Sequence, residues 1–206
     1  NDRLKHMDKN HIIKTGGTMP KQRITKEMVV EAAFEIAREQ GMEQVVVKSI
    51  AARLNCSVQP IYSYCKNMDG LKQDVAARTE DFIREFIAVR TDREDLFRSI
   101  GRAHLQLAKE EPNLFKIFIL HRRDGITSLE ELYQKESSPS AAPFIAAQLG
   151  LTEQQARELH LNMLIYTIGI GTIFSVTTPG IPVEEIFAKH EGAFQAFIQL
   201  ALKSET

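Results

Sequence analysis

The sequence predicts an all-α protein of two helical parts, and three observations carry the prediction. From Met19 onward apolar residues recur at i, i+3 and i+4 almost throughout, with charged residues on the opposite side. Helix punctuation fits that period: Thr25 and Ser57 stand where N-caps are needed, Gly41 where a helix must stop and Pro112 where one can begin. The character changes near Asp69, with short helices and a tight turn before it and long amphipathic helices after it. The expected division is an extension over 1–18, a three-helix unit over 19–68 and a larger helical unit over 69–206. The polar stretch 1–18, with Gly16-Gly17 and a second methionine start just beyond it, is read as a flexible extension of the kind an expression vector adds.

Composition sets the limits of function. With 206 residues, 43% hydrophobic and 26% charged, the chain can bury one good core or two small ones, as a soluble globular protein does. Two cysteines, Cys56 and Cys65, are too few for a disulfide framework and lack metal-ligand spacing, which fits a reducing cytoplasm. No apolar run follows the N-terminal basic residues as a secretory signal would.

The first helix presents Val29, Val30, Ala33, Ile36 and Ala37 on one face and Glu27, Glu31, Glu35, Arg38 and Glu39 on the other, and ends at Gly41. A short helix over 48–54 puts Ile50, Ala51 and Leu54 on one side, Asn55 supplies a turn, and Ser57 caps the next helix. Pro60, three residues after that cap, marks a helix beginning, because its missing N–H has no helical partner there. Helix, short helix, three-residue turn and second short helix is the layout of a helix-turn-helix, whose second helix enters the major groove by its N-terminal residues. On this reading Ser57, Val58 and Gln59 face base edges, Tyr62, Tyr64 and Lys66 reach phosphates, Lys48 adds a basic contact, and Ile61 and Cys65 point inward.

The run from Val29 to Leu71, with AAFEIAREQG followed by KSIAARLNCSVQPIYSYCKNMDGL, resembles the N-terminal DNA-binding domain of the TetR family of bacterial transcriptional regulators. Ile61-Tyr62-Ser63-Tyr64 at a fixed offset after Ile50-Ala51 carries the resemblance, which covers about a quarter of the chain. The resemblance implies a fourth helix starting near Asp69-Gly70-Leu71 and a second, all-helical domain for effector binding and dimerisation. Two positions depart from the family pattern: Val46 stands where a capping threonine is usual, and Met68 where a lysine is common. Seven basic residues, Lys21, Arg23, Lys26, Arg38, Lys48, Arg53 and Lys66, face Glu27, Glu31, Glu35, Glu39 and Glu43, so 7 − 5 = +2 is a small charge for a DNA-reading head. It favours a homodimer with two heads on a palindromic duplex.

Helices are expected over 71–89, over 92–109 with Leu96, Ile100, His104 and Leu107 inward, and from Pro112 through NLFKIFILHRR. Residues 137–144 read as a loop. The stretch 159–178 is apolar enough to span a membrane, but His160, Asn162, Tyr166 and Thr167 interrupt it, and a buried helix is the reading taken. The last helix, over 183–202, carries a stripe of Ile186, Phe187, His190, Phe194, Phe197 and Ile198. The resemblance pairs these last two helices with their copies across a dimer, where Phe194 is expected at the interface, while periodicity alone equally permits an intramolecular hairpin.

An enzyme is not indicated. Gly169-Ile170-Gly171 and His121-Arg122-Arg123-Asp124 lack the strand context of phosphate-binding or kinase motifs, and no two histidines share helical metal-site spacing. No cofactor or metal is expected, and the histidines are read as satisfied polar residues. Polar or aromatic residues on apolar helices are the effector-site candidates: His104, Phe115, Phe118, His121, Tyr133, Met163, Tyr166, Thr167 and Phe174, with His104 and Tyr166 foremost. The expected function is a cytoplasmic repressor released from its operator by a small molecule that acts through the helix over 71–89. The alternative is a helical interaction or small-molecule-binding protein whose head no longer reads DNA.

Overall fold

A computed structural model describes residues 24–65, 67–178 and 180–203, and the regular structure among them is entirely helical. The extension 1–18, the basic residues Lys21, Arg23 and Lys66, and Pro179 lie outside the described residues.

Helix α1 (Lys26–Gln40) begins where Thr25 accepts from the Met28 N–H at 3.3 Å, and it stops at Gly41, whose φ of 97° suits a residue without Cβ. A 3-10 turn, Met42–Gln44, leads to α2 (Val47–Arg53). Val46 holds the N-cap position with no oxygen to offer, while its own N–H donates to Ser49 Oγ at 3.2 Å, so half of a reciprocal cap is kept. Asn55, at φ 48°, turns the chain into α3 (Val58–Tyr64). Ser57 occupies the N-cap of α3 as expected, yet its hydroxyl makes no cap bond. Pro60 sits at N3 and removes one of the two amides that such a hydroxyl could reach.

Helix α4 (Met68–Ala88) starts three residues before the expected Leu71, because Asn67 Oδ1 caps it by accepting from the Gly70 N–H at 2.7 Å. Helices α5 (Leu96–Glu110) and α6 (Pro112–Ile119) follow. The expected continuation of α6 through His121–Arg123 does not form. Arg123 instead folds back, donates to the carbonyls of Ile119 at 2.9 Å and His121 at 3.2 Å, and so closes the helix end. Helix α7 (Leu129–Glu136) is capped by Ser128. Residues 137–144 are only half a loop, since α8 (Ala141–Leu149) takes AAPF as its first turn with Pro143 at a position that needs no N–H partner. Helices α9 (Glu153–Val176) and α10 (Val183–Lys203) complete the order.

Three apolar clusters hold these helices. The first gathers Val29, Phe34, Ile36, Ile50, Ile61 and Leu71 from α1 to α4 and accepts Leu114 from α6. The second joins Ile83 and Phe86 of α4 to Leu105, Leu107, Phe115, Phe174 and Ile186. The third joins Ile145, Leu159, Met163 and Phe194 across α8, α9 and α10. Helix α6 therefore belongs to two clusters, contributing Leu114 to one and its neighbour Phe115 to the next. Arg38 on α1 grips the start of α6 through a two-pronged pair with Glu111, 2.9 and 2.5 Å, and Asn113 donates to the Arg38 carbonyl at 2.9 Å.

Helix α9 packs against α5, α6, α8 and α10. Those neighbours do not cover it on every side as the sequence predicts: a stripe of Ile165, Gly169, Ile173 and Val176 is exposed in the single chain. The expected interface stripe on α10 turns the other way. Phe194 is 4% exposed and packs on Phe97 with ring centroids 6.1 Å apart, so it is core of its own chain. The exposed side of α10 carries Ala188, Gly192 and Ala196, outside the core clusters.

Candidate functional site

Two places on this scaffold offer chemistry. The first is the outer side of α3. Ile61 and Cys65 are buried against α1 and α2, and burial pushes the Cys65 thiol pKa up, as expected of a packing residue rather than a reactive thiolate. With that stripe inward, Ser57, Val58 and Gln59 are exposed at the helix start, and Tyr62 is 60% exposed one turn later. Tyr64 is half-buried and packs on the first cluster, so the two tyrosines divide between surface and core. Lys48 is exposed at the start of α2.

Charge is scarcer here than the sequence count implies. Lys26 pairs with Asp74 at 2.9 Å, Arg38 with Glu111, and Arg53 with Glu39. Among the described basic residues of α1 to α3, Lys48 alone has no ion-pair partner, so it is the cation most available to a phosphate.

The second place is a cavity of about 550 Å³ walled by α5, α6, the end of α7, α8, α9, α10 and the segment leading into α8. No residue of α4 lines it, so the expected direct action of a ligand on that helix becomes an indirect one through α5 and α6, on which α4 packs. Most of the wall is apolar, with Ile100, Phe115, Phe118, Ile145 and Phe194 among its surfaces. The two charged residues in the wall are already matched: Arg98 pairs with Asp95 at 2.7 Å and Glu191 at 3.2 Å, and Glu136 accepts from Arg123 at 2.8 Å. The polar character that remains comes from Ser137, Ser138, Ser140, Thr167 and three histidines, and burial lowers the pKa of each histidine. His104 donates through Nδ1 to the Ile100 carbonyl at 2.9 Å, since a carbonyl can only accept. His160 lies 3.1 Å by its Nδ1 from the Tyr133 hydroxyl. His190 is pushed down to about 4 by burial, with Arg102 adding to the effect, and its Nε2 has no hydrogen-bond partner. Gly101 makes room for that ring: a Cβ there would lie 2.6 Å from His190 Nε2.

No family model matches the chain. A helix-turn-helix transcriptional regulator of Bacillus subtilis, YobS, is 24% identical over 113 residues, which is 53% of this chain and 59% of that relative's length. Solved structures match far more of the chain. A transcriptional regulator from Rhodococcus sp. RHA1 aligns with TM-score 0.56 and 14% identity, covering 85% of this chain and 97% of its own. A TetR-like regulator from the same organism aligns with TM-score 0.52 and 14% identity, covering 86% and 93%. A TetR-family regulator from Haemophilus influenzae aligns with TM-score 0.50 and 18% identity, covering 83% and 94%. The chain has the TetR-regulator fold.

Within the TetR fold the predicted effector residues separate. His104, Phe115, Phe118, Met163 and Thr167 line the cavity. His121 is exposed, with Nδ1 on the Phe118 carbonyl at 2.6 Å. Tyr133 stands behind His160 rather than on the cavity, and Phe174 belongs to the second apolar cluster. Tyr166, a foremost candidate, also lies off the cavity: its hydroxyl donates to the Lys189 carbonyl at 3.3 Å and its ring meets Phe197 edge-on. Sequence reasoning passes over His160 and His190 as satisfied residues. The signal for His190 is its place on the apolar stripe of the last helix, where an imidazole has few partners.

Proposed function

We propose that the chain is a ligand-responsive, DNA-binding transcriptional regulator of the TetR family, a cytoplasmic repressor released from a two-fold symmetric operator by a small molecule. The observation that carries this reading is the outer side of α3, where Ser57, Val58 and Gln59 stand exposed on a short helix anchored by Ile61 and Cys65. Residues 19–68 act as the reading head and 69–206 as the effector and dimerisation unit, with the exposed Lys48 and Tyr62 on phosphates. Two copies pair through the exposed sides of α9 and α10, which supplies the second head that one weakly charged head needs. A ligand in the cavity acts on α6, whose Phe115 and Phe118 wall the cavity while Leu114 and the Arg38–Glu111 pair tie it to the head. The relatives named above are regulators, and their likeness supports the reading at the level of fold.

The experiment is selection of duplexes from a random library by the purified chain. The expected result is enrichment of a sequence with two-fold symmetry and half-sites about one helical turn apart. A recovered pool with no shared sequence overturns the reading.

A further inference from the structure

The cavity wall is specific about the ligand it can satisfy. His104 is fixed as the Nδ1–H tautomer by its bond to the Ile100 carbonyl, so its Nε2 carries a lone pair and accepts only. His190, 2% exposed, holds an Nε2 without a partner beside Gly101 in the same wall. Ser137 Oγ is a further buried polar atom of the wall with no hydrogen bond of acceptable geometry, although the Tyr133 side chain is its neighbour. His190 Nε2 and Ser137 Oγ are the buried side-chain polar atoms left unpartnered among the described residues, and both residues belong to this one cavity. Both atoms are sealed from the cavity space, and the Nε2 edge of His190 lies against Gly101, so the imidazole acceptor open to a bound molecule is His104 Nε2. A molecule that donates to it gains affinity over one that does not.

We infer that the ligand is an uncharged, largely apolar molecule bearing a hydroxyl group, an alcohol or phenol, that donates to a wall imidazole. This rests on the reading of the cavity as the effector site. A hydroxyl can donate to His104 Nε2, which accepts only. A carboxylate has no proton to give His104 Nε2, and the wall offers it no free cation because Arg98 is already shared by Asp95 and Glu191. An ammonium group would find Glu136 already held by Arg123 and would face the positive field of Arg102 near His190. An ether or a bare hydrocarbon fills the volume and leaves His104 Nε2 unpaired.

The test uses the full chain and four probes on one biphenyl scaffold at about pH 7.5, above the ordinary histidine pKa: 4-phenylphenol, 4-methoxybiphenyl, 4-phenylbenzoate and biphenyl. Calorimetric or fluorescence titration should give the phenol an affinity roughly tenfold above each of the others, the factor expected for one net hydrogen bond. The His104→Phe variant should keep hydrocarbon binding and lose the preference for the phenol, whereas His190→Phe should keep both. A second readout needs no variant: the imidazole ¹⁵N resonance of His104 Nε2 should move as a hydrogen-bonded acceptor with the phenol and not with the methoxy probe. Tighter binding of the acid, equal affinity for all four probes, or no binding of the phenol overturns the inference. DNA affinity measured with and without 4-phenylphenol is a separate arm. Selective phenol binding with unchanged DNA affinity leaves the ligand class standing and removes the regulatory reading.

Discussion

His190 is the residue at which the fold carries an avoidable cost. Its imidazole is buried and neutral among Arg102 and His104 from α5 and Glu191 on its own helix, with one nitrogen unpaired. Its pKa is about 4 in the folded chain against the ordinary 6.5, and that difference sets the sign of the pH effect. The unfolded chain takes up the proton first, so the stability is fully present above about 6.5 and falls as pH drops from there toward about 4. The loss attributable to this one group is on the order of 3 kcal/mol across that window. Chemical denaturation of the His190→Phe variant between about pH 7.5 and about pH 4.5 should show a shallower decline than the unmodified chain, by up to about one proton's worth of slope. Parallel declines would assign the acid sensitivity to other groups, such as His104 and His160, whose pKa values burial also lowers. Among site residues, legibility in the sequence follows local signals. The exposure of Ser57, Val58 and Gln59 is readable because a cap position and a proline bracket them, whereas His190 lies on the cavity and Tyr166 off it because helix rotation decides that and single-residue chemistry does not.

At the scale of elements, the long helices are clear in the sequence, the short α7 and α8 are not, and helix starts and facing sides are blurred. The starts of α7 and α9 are legible in principle, as Ser128-x-x-Glu131 and Thr152-x-x-Gln155, and the bonds are made: Glu131 N–H to Ser128 Oγ at 3.1 Å and Gln155 N–H to Thr152 Oγ1 at 3.2 Å. The facing of α10 is not legible, since Phe194 and the small residues on the other side both recur at helical spacing. Phe194 is core, so Phe194→Arg would bury an unpaired charge within one chain and cost it several kcal/mol of its own stability, whatever the oligomeric state. The informative substitution is Ile173→Glu, at a residue 61% exposed on the open stripe of α9. Sedimentation should find the unmodified chain dimeric at micromolar concentration and this variant shifted toward monomer, with its helical circular-dichroism signal retained. A variant that sediments like the unmodified chain would place the pairing surface elsewhere.

Over the whole molecule, α6 joins the packed unit of α1 to α4 to the cavity, because it touches both. The regulator reading depends above all on α3 reading base edges while Lys48 holds the backbone. The direct measurement is fluorescence-anisotropy titration of the selected duplex and a scrambled duplex, at several salt concentrations, with the unmodified chain, Gln59→Ala and Lys48→Ala. Gln59→Ala should narrow the gap between the two duplexes, losing about 1–3 kcal/mol of discrimination, because a base contact is specific. Lys48→Ala should weaken both about equally and reduce the salt slope by about one per head. Equal losses on both duplexes for Gln59→Ala, with the preference for the selected sequence intact, would contradict base readout by α3.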